Sequence, residues 1–343
     1  MNEQNYKQSV EMALEAYAAQ AIPDDRDLWP TIAERLRRQG HARQHSLIPG
    51  AQWRWRLSRL SLLAGATILV ATLLWAGFPP SSPRNVSAQE VLNNLAEVAA
   101  VVQLMPQQPV DLTGVVSTYR YIRSEGAHLV MIQGEGDRPL VALVPMSRQM
   151  WVAPDGSGRI RESWGEPIFL AEGDQANWEA AGSPPFSSAI NEDFGPGGLH
   201  YENFADLPTD PDALAAIVQA RAKLSDVPVN FGMLVAIGDL LREPGAPPEL
   251  RSALYKVAAR IEGIELLGKM SDRVGRPGVA IAMTARYTGG AKERLTLIFD
   301  PATAALLAEE KVLLEHARWT EAEPPVVISY NTYLESGVVT RLP

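Results

Sequence analysis

Glu162, Trp164 and Glu166 stand at alternate positions of one run, so a strand there presents two carboxylates and an indole on the same face. Paired carboxylates beside an aromatic ring are the equipment of glycoside cleavage, which needs the two groups about 5 to 9.5 Å apart. Carboxylates four strand residues apart are separated by about 13 Å at about 3.3 Å per residue. That is too far for the reaction. The run reads as an exposed hairpin face, with contact to a carbohydrate through Trp164 or Trp178 as its remaining chemistry.

The other chemistry-bearing types give no set. His41 and His45 have the spacing of ligands on one helix face, but Gly40 precedes them and no third ligand is near. They read as a solvated pair, and His128, His200 and His316 stand alone in sequence. The absence of cysteine removes disulfides, thiolate nucleophiles and thiolate metal sites together. No Gly-x-Ser-x-Gly elbow, Ser-x-x-Lys pair or phosphate-binding glycine loop occurs. Asp155-x-Ser157-x-Arg159 opens like a calcium loop but puts a cation where a ligand belongs. With no nucleophile, base, metal or cofactor set to name, an enzyme ranks last among the functions considered.

Charge is divided unevenly along the 343 residues, whose formal net is -9. Residues 1–59 carry nine Lys and Arg against seven Asp and Glu, and the remainder carries 22 against 33. So acidic a remainder argues against direct nucleic-acid binding, which relies on clustered Lys and Arg. It is also long enough to bury a core without disulfide staples, which permits export.

From Leu60 to Phe78 the chain has no charged residue. Nineteen residues at about 1.5 Å each span about 28 Å, close to the hydrocarbon thickness of a bilayer. Trp53, Trp55 and Trp75 lie near its ends, where amphipathic rings prefer the interface, and Pro79-Pro80 stops the helix. Seven arginines between Arg35 and Arg59, with no acidic residue after Glu34, place the N-terminus in the cytoplasm by the positive-inside rule. The competing reading is a cleaved signal peptide ending at Val86-Ser87-Ala88. A retained anchor is favoured because about 59 residues precede the apolar run, and the run exceeds an ordinary signal core. The expected organisation is a cytoplasmic tail over 1–59, one transmembrane helix over 60–78 and an extracytoplasmic domain over 79–343.

In the tail, Tyr6, Val10, Leu14 and Tyr17 share one helix face, and Asp27 caps a second pattern of Leu28, Ile32 and Leu36 with Trp29 beside it. Two such helices bury little alone, so they pair, dock on a partner or stay partly disordered. If they dock, Leu28, Trp29, Ile32 and Leu36 are the partner-binding residues.

Outside, Ser87 opens a helix of Val91, Leu92, Leu95, Val98 and Val102. Strand patterns follow at Val115–Ile122, Leu140–Val144, Gln149–Ala153 and Arg159–Trp164, the last two joined by the turn Asp155-Gly156-Ser157-Gly158. Residues 166–208 read as a long irregular insertion. Three helices then begin at Thr209-Asp210-Pro211, before Phe231 and at Pro247-Pro248. Strands return at Ala280–Tyr287, Arg294–Phe299, Leu306–Leu314 and Val326–Leu334. This order indicates an α+β domain, with helices covering one face of a mostly antiparallel sheet.

Several runs together, LPTDPDAL at 207–214, GDLLREPGAPPELRSALYKVAARIEGIELLG at 238–268, GRPGVAIA at 275–282, LIFDPATAALLAE at 297–309 and YLESGVV at 333–339, resemble an actinobacterial-type family of single-pass membrane proteins. That resemblance implies a short cytoplasmic tail and an exported domain, and supplies no activity. Separately, DLWPTIAERLRR at 27–38 resembles the tails of membrane-bound anti-sigma factors. Lacking cysteines, and with no His before His41, this chain would be similar to the zinc-free kind.

Two functions lead: a transmembrane regulator that senses the envelope and holds a sigma factor on its tail, and a membrane-tethered module that binds a lipid or a peptide without catalysis.

Overall fold

Ser87 accepts a hydrogen bond from the Glu90 amide at 3.1 Å, capping helix α1, Ala88–Val101, where the sequence places it. This computed structural model describes residues 87–103, 118–133, 139–224, 227–287 and 290–343. The expected tail, the 60–78 segment, His41, His45 and the stripe of Leu28, Trp29, Ile32 and Leu36 all lie outside the described residues. Among the described residues no helix is long and apolar enough to cross a membrane.

After α1 come strands β1, Tyr119–Ile132, β2, Leu140–Val152, and β3, Gly158–Trp164. Helix α2, Glu172–Ala180, and strand β4, Ile190–Phe194, follow. Helices α3, Pro211–Ala222, α4, Val229–Arg242, and α5, Pro248–Ala258, form a block. The chain ends in β5, Ile264–Ser271, β6, Pro277–Arg286, β7, Lys292–Phe299, β8, Leu306–Leu313, and β9, Val326–Val339.

Among the described residues all nine strands pair antiparallel in one sheet, ordered β4-β3-β2-β1-β9-β8-β7-β6-β5. Two meanders, one before the helical block and one after it, are therefore fused where β1 meets β9. The domain is the expected α+β arrangement.

The helices cover one face of the second meander. Phe231, Leu234 and Ile237 of α4, Leu250 and Leu254 of α5, Leu214 and Val218 of α3, and Leu92 and Leu95 of α1 bury against Ile281, Met283, Leu295, Leu297 and Phe299. Each such side chain contributes roughly 1.5 to 3 kcal/mol of transfer free energy. Strand alternation sends Ala280, Ile298 and Ala308 to the opposite face, where they form a separate small cluster with Met270.

Three expectations are corrected. The runs at 140–144 and 149–153 are a single strand, because Ser147 and Arg148, polar in sequence, continue the ladder opposite Glu125 and Ser124. Residues 264–271, assigned no element, form β5. Its Leu266-Leu267 pair interrupts alternation because the register shifts between Leu266 and Gly268, and Gly268 takes a φ of +83°. The stretch 166–208 also carries α2, β4 and a 3-10 turn at Phe204–Asp206. It is pinned by the aromatic cluster of Phe169, Trp178 and Phe186 rather than by an amphipathic repeat.

Candidate functional site

Strand register collects polar side chains that are far apart in sequence. Glu125 of β1 lies opposite Ser147 of β2 and Thr332 of β9, and Ser147 lies opposite Ser163 of β3. Thr332 also pairs with Ala308, so this row shares the face turned away from the helices. The next row is Tyr330, Ala127 and Pro145, and the Gly165 amide donates to the Pro145 carbonyl at 2.9 Å. Gly126 sits between the rows, where a Cβ would strike the Tyr330 carbonyl oxygen, so only glycine fits this close approach.

The turn between β5 and β6 forms a wall on this floor. Asp272 is buried, and its Oδ1 accepts from the amides of Val274 at 3.1 Å and Arg276 at 2.8 Å. Its Oδ2 accepts from Arg276 Nε at 2.6 Å. Arg276 Nη2 in turn donates to the carbonyls of Leu307, at 3.1 Å, and Tyr333, at 2.8 Å. The turn is thereby fastened across β8 and β9. Arg273, held by Glu310 at 2.6 Å, lies with its guanidinium carbon 3.9 Å above the Tyr330 ring.

Floor and wall enclose an open groove of about 450 Å³, lined among others by Glu125, Ser147, Ser163, Thr332, Tyr330 and Arg273. Trp164 borders it at the end of β3, and its buried Nε1 has no acceptor. An unmade buried hydrogen bond of this kind costs about 1 to 3 kcal/mol. Of the charges, Arg273 is satisfied by Glu310. Glu125 is half exposed, and its nearest cation is Arg123 at 3.9 Å. Arg123 is engaged by Glu335 at 2.6 Å, a hydrogen bond that raises its already high pKa.

Glu162 does not lie on an exposed hairpin face as the sequence suggested. Its side chain is 3 % exposed and accepts from Arg148 at 2.5 Å. His128, isolated in sequence, lies within hydrogen-bond distance of Ser329 at 3.2 Å. Burial first, and then the Arg148 charge, lower its pKa.

A second polar seam runs between α4 and the sheet. Tyr333 donates to Glu309 at 2.8 Å, and Arg242 pairs with Asp239 at 2.9 Å. Burial raises the pKa of the Glu309 carboxyl despite the nearby Arg242 charge. For Arg242 burial works the other way, but Tyr333, Asp239 and Glu309 outweigh it and raise the guanidinium. Among the described residues no three His, Asp or Glu side chains are grouped to hold a metal.

Of the residues singled out from sequence, only Trp164 reaches the groove. Glu125, Ser147, Thr332, Tyr330 and Arg273 carry no motif. The available signal was local: Asp272 and Gly275, three apart, mark a tight turn between strands.

No family model matches the chain, and no curated protein does. Among solved structures it is similar to Pseudomonas aeruginosa MucB in its complex with MucA, with a TM-score of 0.21 and 12% identity over 73% of this chain and 56% of that one. A crystal structure of MucB gives a TM-score of 0.20 and 15% identity over 74% and 58%. A LolA superfamily protein, NE2245 of Nitrosomonas europaea, gives 0.13 and 11% over 75% and 96%. The chain thus spans a little over half the length of the MucB chains. At these scores no residue role or partner is transferred from them.

Proposed function

We propose that the chain is a membrane-tethered regulator without enzymatic activity, whose outer domain binds a polypeptide segment in the sheet groove. The observation that carries this reading is the fastened wall. The Asp272–Arg276 clamp holds the β5–β6 turn over β8 and β9 through the protein's own hydrogen bonds. A preformed groove does not charge its ligand the entropy of ordering the site.

The lining favours a peptide over a lipid. An acyl chain asks for a mostly apolar pocket, whereas Glu125, Ser147, Ser163, Thr332 and Arg273 offer polar groups along the length of this one. Catalysis finds little support there. The serine and threonine hydroxyls lack a histidine among the residues that line the groove.

Signalling adds a cytoplasmic half. The apolar stripe of Leu28, Trp29, Ile32 and Leu36 is too short to build its own core and suits burial in a groove of a partner, a sigma factor being the partner the tail resemblance implies.

The outer site is tested with full-length protein in detergent on an array of immobilised nonapeptides. The parent should retain a subset of the peptides. Ser147→Trp, which fills the floor, should weaken that binding at least about tenfold while leaving the thermal midpoint in place, a loss of about 1.4 kcal/mol. Equal retention by the two proteins overturns the groove as the binding site.

A further inference from the structure

One negative charge, Glu125, and one positive charge, Arg273, line the groove, and they are not equivalent. Arg273 is neutralised by Glu310 at 2.6 Å and further occupied by the Tyr330 ring. Glu125 has only a loose contact, at 3.9 Å, with an arginine already committed to Glu335 at 2.6 Å. It is the one charged group lining the groove whose partner is not already supplied by close contact.

The surroundings reinforce this asymmetry. Glu125 stands in the middle of the row Thr332, Glu125, Ser147, Ser163, and because Thr332 is buried a side chain laid along the row meets two hydroxyls and one carboxylate. Those groups are the acceptors that an ammonium or guanidinium uses. Residues 60–343 carry 22 basic against 33 acidic side chains, a field that draws cations toward the domain.

We propose, building on the peptide-binding reading above, that the groove selects an extended basic segment, with a Lys or Arg side chain on Glu125. A glycan is the weaker occupant. Sugar recognition wants an open aromatic face, and the face of Tyr330 is covered by Arg273.

The test uses the full-length chain and nonapeptides identical except for a fixed central Arg, Lys, Leu or Glu, with N-acetylchitotetraose as a parallel probe. Arg- and Lys-centred peptides should bind at least about fivefold tighter than Glu-centred ones, the scale of a partly exposed ion pair. Glu125→Gln should flatten that preference without changing Leu-centred affinity, and Glu125→Lys should invert it. Glu125 is a surface residue, and an unchanged thermal midpoint in both variants shows that the fold is intact.

Peptide binding that ignores the central charge, or that persists unchanged in Glu125→Gln, overturns the basic-segment inference and leaves the binding module standing. Peptides that all fail to bind the parent overturn both. Tight binding of N-acetylchitotetraose, abolished by Ser147→Trp, replaces the peptide with a glycan.

Discussion

Arg251 keeps its charge inside the protein because three carbonyl oxygens surround it. Its guanidinium donates to Val102 at 3.0 Å and to Thr303 and Ala304 at 2.8 Å, and the Tyr255 hydroxyl donates to Ala304 at 2.7 Å. Burial lowers the Arg251 pKa and raises that of the Tyr255 phenol. One side chain thus ties the end of α1, the helix α5 and the turn between β7 and β8. Arg251→Ala removes the donor to the Val102 and Thr303 carbonyls, while Ala304 keeps the Tyr255 hydroxyl, and should destabilise the domain by about 2 kcal/mol or more in urea unfolding. Arg251→Lys, which keeps the charge but not the fork of donors, should fall between. Equal stability of the parent and Arg251→Ala would show that water takes over these carbonyls. None of this is written in the sequence, where Arg251 looks like an ordinary charged position of an amphipathic helix. The groove is hidden in the same way. Glu125, Ser147, Ser163 and Thr332 come from four strands, and only their pairing makes them neighbours.

At the level of elements, the segment leaving β4 is joined to helix α3 through Glu202, which accepts both terminal nitrogens of Arg221 at 2.9 and 3.0 Å. Its backbone carbonyl also receives Arg120 of β1. The His200 ring nitrogen, 3.6 Å away, first, and Arg221 next, lower the Glu202 pKa to about 2 against the opposing effect of burial. A carboxyl lowered in the folded state stabilises fully above its unfolded value near 4.5, and that stability drains away as the pH falls toward 2. The thermal midpoint should therefore drop between about pH 5 and pH 2, and Glu202→Gln should remove part of that slope. Identical slopes for both proteins would assign the acid sensitivity elsewhere. The elements themselves were legible wherever caps and periodicity agreed, as at Ser87, at Asp210-Pro211 and along β6 to β9. They were not legible where a bulge breaks alternation, as in β5, or where a few aromatic contacts replace a repeat, as around α2.

For the whole molecule, β1 and β9 pair at the centre of the sheet, so the first and last of the described strands close one domain that must fold on a single side of any membrane. The proposed regulator needs that side to be the outside, with the arginine-rich tail opposite it. Fused after Pro343, an alkaline phosphatase that works only outside the cytoplasm should be active, and fused after Gly50 it should be silent. The reverse pattern overturns the orientation. The tail must then have a partner within reach. Full-length protein used as bait should capture a sigma factor. Changing Trp29→Ala and Ile32→Ala together should cost about 2 kcal/mol or more of that interaction, roughly thirtyfold in affinity, while peptide binding in the outer groove is unaffected. Loss confined to the cytoplasmic partner would mark the stripe as an interface. Internal packing of the stripe against the segment from Tyr6 to Tyr17 instead leaves no sigma factor to lose. If the unmodified chain captures no sigma factor from a native lysate, the signalling half of the proposal fails and the outer groove remains as the function of a tethered binding module.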